Sequence, residues 1–196
     1  MRLDILLVGV GGQGILTSAA ILARAAINSG INVLTAETHG MAQRGGSVEV
    51  HVRFGDVKSP LIPYGSADFM VALEPVEALR YTQYCSEKTK AIVNTRPIYP
   101  PSVSRGEAEY PSLDVVRQRL SWLSKLYFIN ATQLAEKAGN AQATNVVVLG
   151  ALCKVSSIEA KEVERAITDV LPGKLHEVNL KAFRLGYEAL SEDLNA

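Results

Sequence analysis

The hydrophobic and polar positions in the first part of the chain predict a strand, a helix and a second strand. Ile5 to Val8 is a continuous apolar run, which predicts a strand buried on both faces of a sheet. A glycine-rich turn follows, and Ile15 to Ile27 is alanine-rich and free of Pro and Gly, which predicts a helix that ends near Gly30. Ile31 to Ala36 has the pattern of a second strand. The segment up to Glu37 therefore predicts a β-α-β unit.

The next segments predict four more strands. From Ser47 to Phe54 apolar and polar residues alternate, so one face of this strand is either exposed or covered by another part of the molecule. Ala67 to Leu73 predicts another buried strand, Ala91 to Asn94 predicts the next strand, and Tyr127 to Ile129 predicts a short last strand. After the strand that ends at Leu73, Glu74-Pro75 predicts the start of a helix, because proline is tolerated in a first turn.

The remainder of the chain has the spacing of helices. Residues 96–111 hold four prolines and predict the only long irregular segment. Ser156 with Glu159 predicts a capping box. Apolar residues recur at helical spacing over 113–123, 163–170 and 180–190. Residues 132–138 predict a short helix that Gly139 ends, and residues 146–152, apolar all round, predict a buried helix. We predict one α/β domain over residues 1–196, a three-layer α/β/α, Rossmann-like fold with a mainly parallel, mixed sheet and a helical C-terminal third.

Composition narrows the function classes. The 196 residues include 20 basic and 20 acidic side chains, so the formal net charge is zero and no binding to nucleic acid is expected. Two cysteines, Cys85 and Cys153, cannot form a disulfide framework, a four-thiolate zinc site or a four-cysteine iron–sulfur cluster. The short, acidic start predicts no signal peptide, and the longest other apolar stretch, Val146 to Cys153, is too short to cross a bilayer. We expect a soluble cytoplasmic protein with no membrane contact.

A glycine motif lies between the first strand and the first helix. Gly9-Val10-Gly11-Gly12-Gln13-Gly14 fits G-x-G-x-x-G, where free amides and the helix dipole can hold a phosphate. Glu37 lies 23 residues after Gly14, where a dinucleotide domain places its ribose-binding carboxylate. These residues predict NAD or FAD binding. Alternatively, the glycines only permit a tight turn, or the loop faces a protein partner.

The segment from Glu37 to Ser47 argues against a simple dinucleotide domain. Such a domain would continue into a helix, whereas here a polar, glycine-punctuated loop leads into the alternating strand. Arg44 is followed by Gly45 and Gly46, which would leave its guanidinium unshielded and available to a phosphate or carboxylate. The alternative is a solvated arginine beside a turn. His39, His51 and His176 lack the spacing of metal ligands, so no metal site is expected.

Four sequence segments together closely resemble a known family: residues 9–14, 37–47, 72–80 (Ala-Leu-Glu-Pro-Val-Glu-Ala-Leu-Arg) and 94–97 (Asn-Thr-Arg-Pro). The resemblance extends through residues 139–150 and 179–183 and so spans almost the whole chain. The chain looks like the gamma domain shared by 2-oxoacid:ferredoxin oxidoreductases. Pyruvate-type members usually carry a Gly-Pro-Glu-Arg-Arg-Gly-Ala-like loop where this sequence has Gly40-Met41-Ala42-Gln43-Arg44-Gly45-Gly46, and this difference favours the small (beta) subunit of the indolepyruvate or arylpyruvate branch.

The resemblance implies a subunit of an enzyme rather than an enzyme by itself. In the family a 2-oxoacid is decarboxylated on thiamine diphosphate, two electrons pass through iron–sulfur clusters to ferredoxin, and the acyl group is transferred to coenzyme A. This chain lacks the Gly-Asp-Gly of the thiamine site and the cysteines of the clusters. Thiamine diphosphate, Mg and [4Fe-4S] clusters are therefore expected in a larger alpha subunit, in an α2β2 complex. The chain alone should be inactive, and in isolation it could form a homodimer.

Two roles are open for the loops that carry the resemblance. The amides from Gly11 to Gly14, with Arg44, Gly45 and Gly46, could face a phosphate of coenzyme A, the substrate that accepts the acyl group. They could equally form only the interface with the larger subunit. The alternative function, an independent NAD- or FAD-binding oxidoreductase, predicts that the purified chain binds a dinucleotide by itself.

Overall fold

A computed structural model describes residues 2–39 and 45–190 and shows one mixed sheet with helices on both faces. The strands, in chain order, are β1 (Leu3–Val10), β2 (Val33–His39), β3 (Ser47–Phe54), β4 (Phe69–Ala72), β5 (Lys90–Asn94) and β6 (Lys125–Ile129). Their order across the sheet is β2-β3-β1-β4-β5-β6. From β1 to β6 the pairings are parallel, whereas β3 is antiparallel to both of its neighbours. The predicted fold class is confirmed.

The helices account for most of the second half of the described chain. They are α1 (Ile15–Asn28), α2 (Pro75–Arg80), α3 (Pro101–Ser104), α4 (Leu113–Leu120), α5 (Ala131–Ala138), α6 (Thr144–Val155), α7 (Ala160–Val170) and α8 (His176–Ala189). Short 3-10 turns lie at Thr82–Tyr84, Ala141–Ala143 and Gly173–Leu175. The helical C-terminal third predicted from spacing is therefore present as α5 to α8.

Side chains that alternate along the central strands enter two separate cores. Ile5 and Leu7 of β1 belong to the larger core, which also contains residues of α1 and of α5 to α8. Leu6 and Val8 belong to the smaller core, beneath α2 and α4. Burial of β1 on both faces is what its continuous apolar run predicts. The sheet is thus the middle of three layers.

The predicted β-α-β unit is present, but another strand lies between its two strands. The structure inserts β3 between β1 and β2, so that the two strands joined by α1 run in the same direction but are not neighbours. β3 is also buried along almost its whole length, so its polar positions are covered rather than exposed. Arg53 is only 4% exposed, and its guanidinium binds the carboxylate of Asp4 through two hydrogen bonds of 2.7 and 3.0 Å. This pairing allows the charged side of β3 to be buried.

The proline-rich segment at 96–111 is held at both ends by one carboxylate. Glu74 follows β4 and is 1% exposed. Its Oε2 accepts the amides of Val76 and Glu77 and so caps α2, while its Oε1 accepts the amide of Ile98 and the hydroxyl of Tyr110. The segment was predicted to be irregular, and it contains only the four-residue α3. Glu74 therefore fixes this segment to the end of the sheet at which β4 terminates.

The predicted capping box at the start of α7 does not form. Helix α7 begins at Ala160, and Glu159 precedes it without a side-chain capping bond. The hydroxyl of Ser156 instead accepts the amide of Ile158. The N-cap position of α7 is occupied by Glu159, and Ser156 is the C-cap of α6, with extended backbone.

Candidate functional site

The glycine motif lies at the edge of the sheet where the parallel strands end. β1 ends at Val10, and α1 begins one residue after Gly14. Gly12 and Gly14 have positive φ angles of 103° and 78°, a region of backbone conformation that favours glycine. A Cβ at Gly9 would lie 2.7 Å from the side-chain oxygen of Gln13 and would displace that side chain. The sequence prediction of a tight strand-to-helix turn agrees with this geometry.

Gln13 holds the turn together from within. Its side-chain oxygen accepts the amide of Val10 at 2.7 Å, and its amide nitrogen donates to the carbonyl of Leu73 at 2.8 Å. The same side chain therefore joins the end of β1 to the residue that follows β4. Both polar ends of the Gln13 side chain are bound within the protein, so Gln13 positions the turn and is not free to bind a ligand.

Gly45 and Gly46 meet the glycine motif directly. The amide of Gly11 donates to the carbonyl of Gly46 at 2.8 Å, and the amide of Gly45 approaches the carbonyl of Gly11 at 3.4 Å. Two loops that are more than 30 residues apart in sequence thus form one surface. Arg44, which the sequence analysis placed at the same site, lies outside the described residues.

Glu37 is separated from this surface by a strand. It lies exposed on β2, paired with Val50 of β3, and β3 stands between it and β1. In a dinucleotide domain the strand that carries the ribose-binding carboxylate is the direct neighbour of the first strand. The geometry of Glu37 gives no support to NAD or FAD binding.

An open cleft of about 280 Å³ borders the start of α1. Gly12, Gly14 and Thr17 form one side, and amide side chains form much of the rest: Asn140, Gln142, Asn145 and Asn179. The amide of Asn145 donates to the carbonyl of Gly14 at 3.1 Å and so fixes the turn from the opposite wall. The amides of Gly12 and Gly14 find no acceptor among the described residues. The cleft therefore offers uncharged hydrogen-bonding groups next to the positive end of a helix dipole.

A partly buried polar cluster, which the sequence analysis did not predict, begins at Ser47, directly after Gly46. We call it the β3 polar cluster. It consists of Ser47, Glu49, His51, Glu77, Tyr81 and Tyr84. The hydroxyl of Ser47 donates to the carboxylate of Glu77 and lies 2.7 Å from the Tyr81 hydroxyl. The alternation of Glu49, His51 and Arg53 along β3 was the available signal, but it predicts an exposed face equally well.

Burial dominates the electrostatics of this cluster. Desolvation raises the pKa of Glu49, although hydrogen bonds with the hydroxyls of Tyr84 and Thr38 lower it in part. Desolvation likewise raises the pKa of Glu77 and lowers that of His51, whose Nδ1 accepts the amide of Ile62. Glu49 Oε2 is buried and has no hydrogen-bond partner in the described parts of the chain. The carboxylate of Glu49 is therefore destabilised relative to its protonated form.

Replacing Glu49 with glutamine should stabilise the protein at neutral pH. A raised pKa means that the folded state holds the proton more tightly than the unfolded state, so Glu49 lowers stability progressively as the pH rises. Glu49→Gln should therefore have the higher Tm at pH 7.5, and the difference should shrink as the pH falls towards 4.5. Thermal unfolding followed by circular dichroism at both pH values tests this, with the exposed Glu136→Gln as control. A difference of Tm that grows on acidification would contradict it.

Among the described residues, the Cys, Asp, Glu and His side chains form no group of metal ligands. Cys85 and Cys153 are buried in the two different cores, on opposite faces of the sheet. Burial raises the pKa of the Cys85 thiol to about 11, and it also raises that of Cys153. Within residues 2–39 and 45–190, no three His, Cys, Asp or Glu side chains lie together as metal ligands would. No described helix combines the length and the apolar character that a membrane span requires.

Comparison with known proteins assigns the chain to a family. A family model described as pyruvate ferredoxin/flavodoxin oxidoreductase matches residues 4–189. The chain belongs to that oxidoreductase family. The resemblance inferred from the motifs is thereby confirmed, and the family match includes the glycine motif, the Gly45-Gly46 turn and the amide-lined cleft.

Relatives in this oxidoreductase family differ in how similar they are. Indolepyruvate oxidoreductase subunit IorB of Archaeoglobus fulgidus is 55% identical over 95% of this chain and 94% of its own length. A 2-oxoglutarate synthase subunit, KorC of Methanothermobacter thermautotrophicus, is 29% identical over 98% of this chain and 97% of its own. In fold, the chain is similar to pyruvate oxidoreductase subunit PORC of Thermotoga maritima, with a TM-score of 0.74 at 23% identity, covering 95% and 96% of the two chains. These relatives are subunits of oxidoreductase complexes.

Proposed function

We propose that this chain is the small subunit of a thiamine-diphosphate-dependent indolepyruvate:ferredoxin oxidoreductase. The complex would decarboxylate indolepyruvate or a related arylpyruvate oxidatively, form the acyl-coenzyme A product and reduce ferredoxin. The observation that carries the proposal is the 55% identity, over nearly the full length of both chains, with a subunit named for indolepyruvate. Identity is 29% with the subunit named for 2-oxoglutarate, and this difference supports the arylpyruvate branch.

Thiamine diphosphate, Mg and the [4Fe-4S] clusters would belong to a larger alpha subunit. The described residues fit neither an iron–sulfur cluster nor a bound metal ion. A [4Fe-4S] cluster needs about four thiolates, whereas this chain has two cysteines, which the sheet separates. The groups of three carboxylate or histidine ligands that could hold a metal ion are also missing from the described residues. This chain would contribute binding surface, and the α2β2 complex would carry the reaction.

The glycine motif and the amide-lined cleft would form part of the approach for coenzyme A. The amides of Gly11 and Gln13 are already bound to the carbonyls of Gly46 and Val10, so they position the loops. The amides of Gly12 and Gly14 remain at the start of α1, where a helix favours a phosphate. Arg44 would add a guanidinium next to Gly45 and Gly46. The alternative is that these loops contact only the larger subunit.

The function is tested with the complex and with the separated chain. Co-expression of this chain with the larger subunit should give a complex that reduces a viologen dye when indolepyruvate and coenzyme A are both supplied. Pyruvate and 2-oxoglutarate serve as competing substrates in the same assay, and each should be used at a rate at least tenfold lower. The purified chain alone should show no activity. Preference for 2-oxoglutarate, or a chain that never associates with a larger subunit, would reject the proposal.

Replacing Arg44 with alanine separates the two roles of the loops. If the guanidinium binds a coenzyme A phosphate, Arg44→Ala should raise the KM for coenzyme A roughly tenfold, the effect of one lost charge-assisted hydrogen bond. The KM for indolepyruvate should not change, and the complex should assemble as before. If the loops form only the interface, the variant should instead weaken subunit association in size-exclusion chromatography. Arg184→Ala, at an exposed position on α8, is the control.

A further inference from the structure

The two edges of the sheet are protected to different degrees. β6 has five residues, begins with an exposed lysine, Lys125, and carries the guanidinium of Arg117 over the ring of Phe128 at 4.4 Å. β2 has seven residues and contains no proline, lysine or arginine. Short strands and basic side chains are the usual means by which proteins prevent unwanted strand pairing. β2 lacks both, and in the described part of the chain no strand lies outside it.

The register of β2 defines which backbone groups are free. The carbonyl of Asn32 accepts the amide of Gly55, which makes this a hydrogen-bonded pair with β3. Hydrogen-bonded and non-hydrogen-bonded pairs alternate in antiparallel sheets. Leu34, Ala36 and Thr38 therefore bind β3, and the N–H and C=O groups of Val33, Thr35 and Glu37 point away from the sheet. These groups can accept one further strand.

An exposed apolar stripe on α1 runs beside this edge. Leu16, Ala20, Ala23 and Ile27 recur at helical spacing, and Leu16 and Ile27 are 50% and 57% exposed. A groove of about 370 Å³ separates this part of α1 from Thr35 and Glu37 of β2. We call the free edge of β2 and this stripe together the β2 edge surface. It combines a hydrogen-bonding edge with apolar area that water contacts unfavourably.

We propose that the β2 edge surface is the interface between two copies of this chain, in which the β2 strands pair antiparallel around a two-fold axis. With Thr35 at the axis, each Glu37 lies opposite a Val33, so no like charges face each other across the pair. The two α1 stripes then meet above the joined strands. Arg24 is the charged residue of α1 and Glu37 that of β2, of opposite sign, and the chain has zero formal net charge, so no excess of like charge opposes the second copy. Such a dimer forms whatever reaction the complete enzyme catalyses.

Sedimentation velocity of the full chain at micromolar concentrations is the direct test. The wild-type chain should be a dimer. Thr35→Pro removes an outward-pointing N–H that the pairing between the two copies needs, so the variant should be a monomer. It should still fold, because β3 does not use this N–H and proline is tolerated on the free side of an edge strand. Ala20→Glu places two like charges in the interface and should weaken the dimer roughly 100-fold. Gln118→Glu adds the same charge on exposed α4 and should leave the dimer intact.

Cross-linking keeps the test decisive if Thr35→Pro does not fold. Thr35→Cys should form a disulfide between two copies under mild oxidation, whereas Cys85 and Cys153 are buried and should not react. A monomeric wild-type chain would overturn the proposal. So would a dimer that Ala20→Glu leaves unchanged. If the variants weaken binding of the larger subunit instead, the edge belongs to the contact between unlike subunits and the proposal is equally overturned.

Discussion

Gly186→Ala should destabilise the protein by about 3 kcal/mol or more, the upper end of the cost of overpacking. A Cβ at Gly186 of α8 would lie 1.9 Å from the carbonyl oxygen of Val147 on α6, and one at Gly150 would lie 2.0 Å from the carbonyl oxygen of Phe183. Both contacts are with backbone, so no change of side-chain rotamer can relieve them. The two helices would have to separate, which would open the larger core.

Urea unfolding followed by circular dichroism measures this effect. Gly150→Ala should lose a similar free energy of unfolding from the facing helix. Gly173→Ala is the matched control, because no heavy atom lies within 4 Å of its Cβ position and it should be near neutral. A loss below about 1 kcal/mol for both helix variants would show that α6 and α8 are less tightly packed than the structure indicates.

Arg53→Leu should destabilise the protein by about 3–5 kcal/mol, the cost of leaving one member of a buried ion pair without its partner. Asp4 is 3% exposed, and its carboxylate binds the guanidinium through both oxygens. The same guanidinium donates to the carbonyls of Ser59 and Leu61, at 3.0 and 2.9 Å. The substitution therefore leaves two carbonyls without their donor, and it leaves the buried carboxylate with only the exposed guanidinium of Arg2, 3.6 Å away.

The double variant Asp4→Asn/Arg53→Leu makes the interpretation specific. Removing both charges should be less destabilising than the sum of the single changes, because no uncompensated carboxylate remains. Arg184→Ala, which breaks an exposed ion pair with Glu164, should change the free energy of unfolding very little. Chemical unfolding of the four variants tests this. Strictly additive losses for Asp4 and Arg53 would contradict the coupling.

Local patterns predicted the elements that are buried by apolar residues alone. The apolar runs at 5–8 and 146–152 are both found buried, inside β1 and α6. The burial of the polar face of β3 could not be predicted, because an alternating strand has the same sequence pattern whether that face contacts water or buried partners. The partner that decides the case, Asp4, lies 49 residues away from Arg53. The insertion of β3 between β1 and β2 likewise depends on pairing between distant segments.

Only the local part of the candidate site could be predicted, because its other contacts join segments that are distant in sequence. The glycine motif is local, so its turn could be read from the sequence. The contact between Gly11 and Gly46 and the internal use of the Gln13 side chain depend on the tertiary fold. The same holds for the cleft, because Asn145 reaches Gly14 across 131 residues of sequence. No periodicity marks such a residue before the fold is known.

The packing of α7 against α1 determines when this chain can finish folding. Ala25 and Ala26 of α1 lie beside the start of α7, and Asn28 donates to Asp169 at 3.0 Å. During synthesis, α1 emerges from the ribosome well over 100 residues before the helix that covers it. Until then the part of α1 that α7 covers stays accessible to water and to other chains. The contact between α1 and α7 can therefore form only after residues 160–170 have been made.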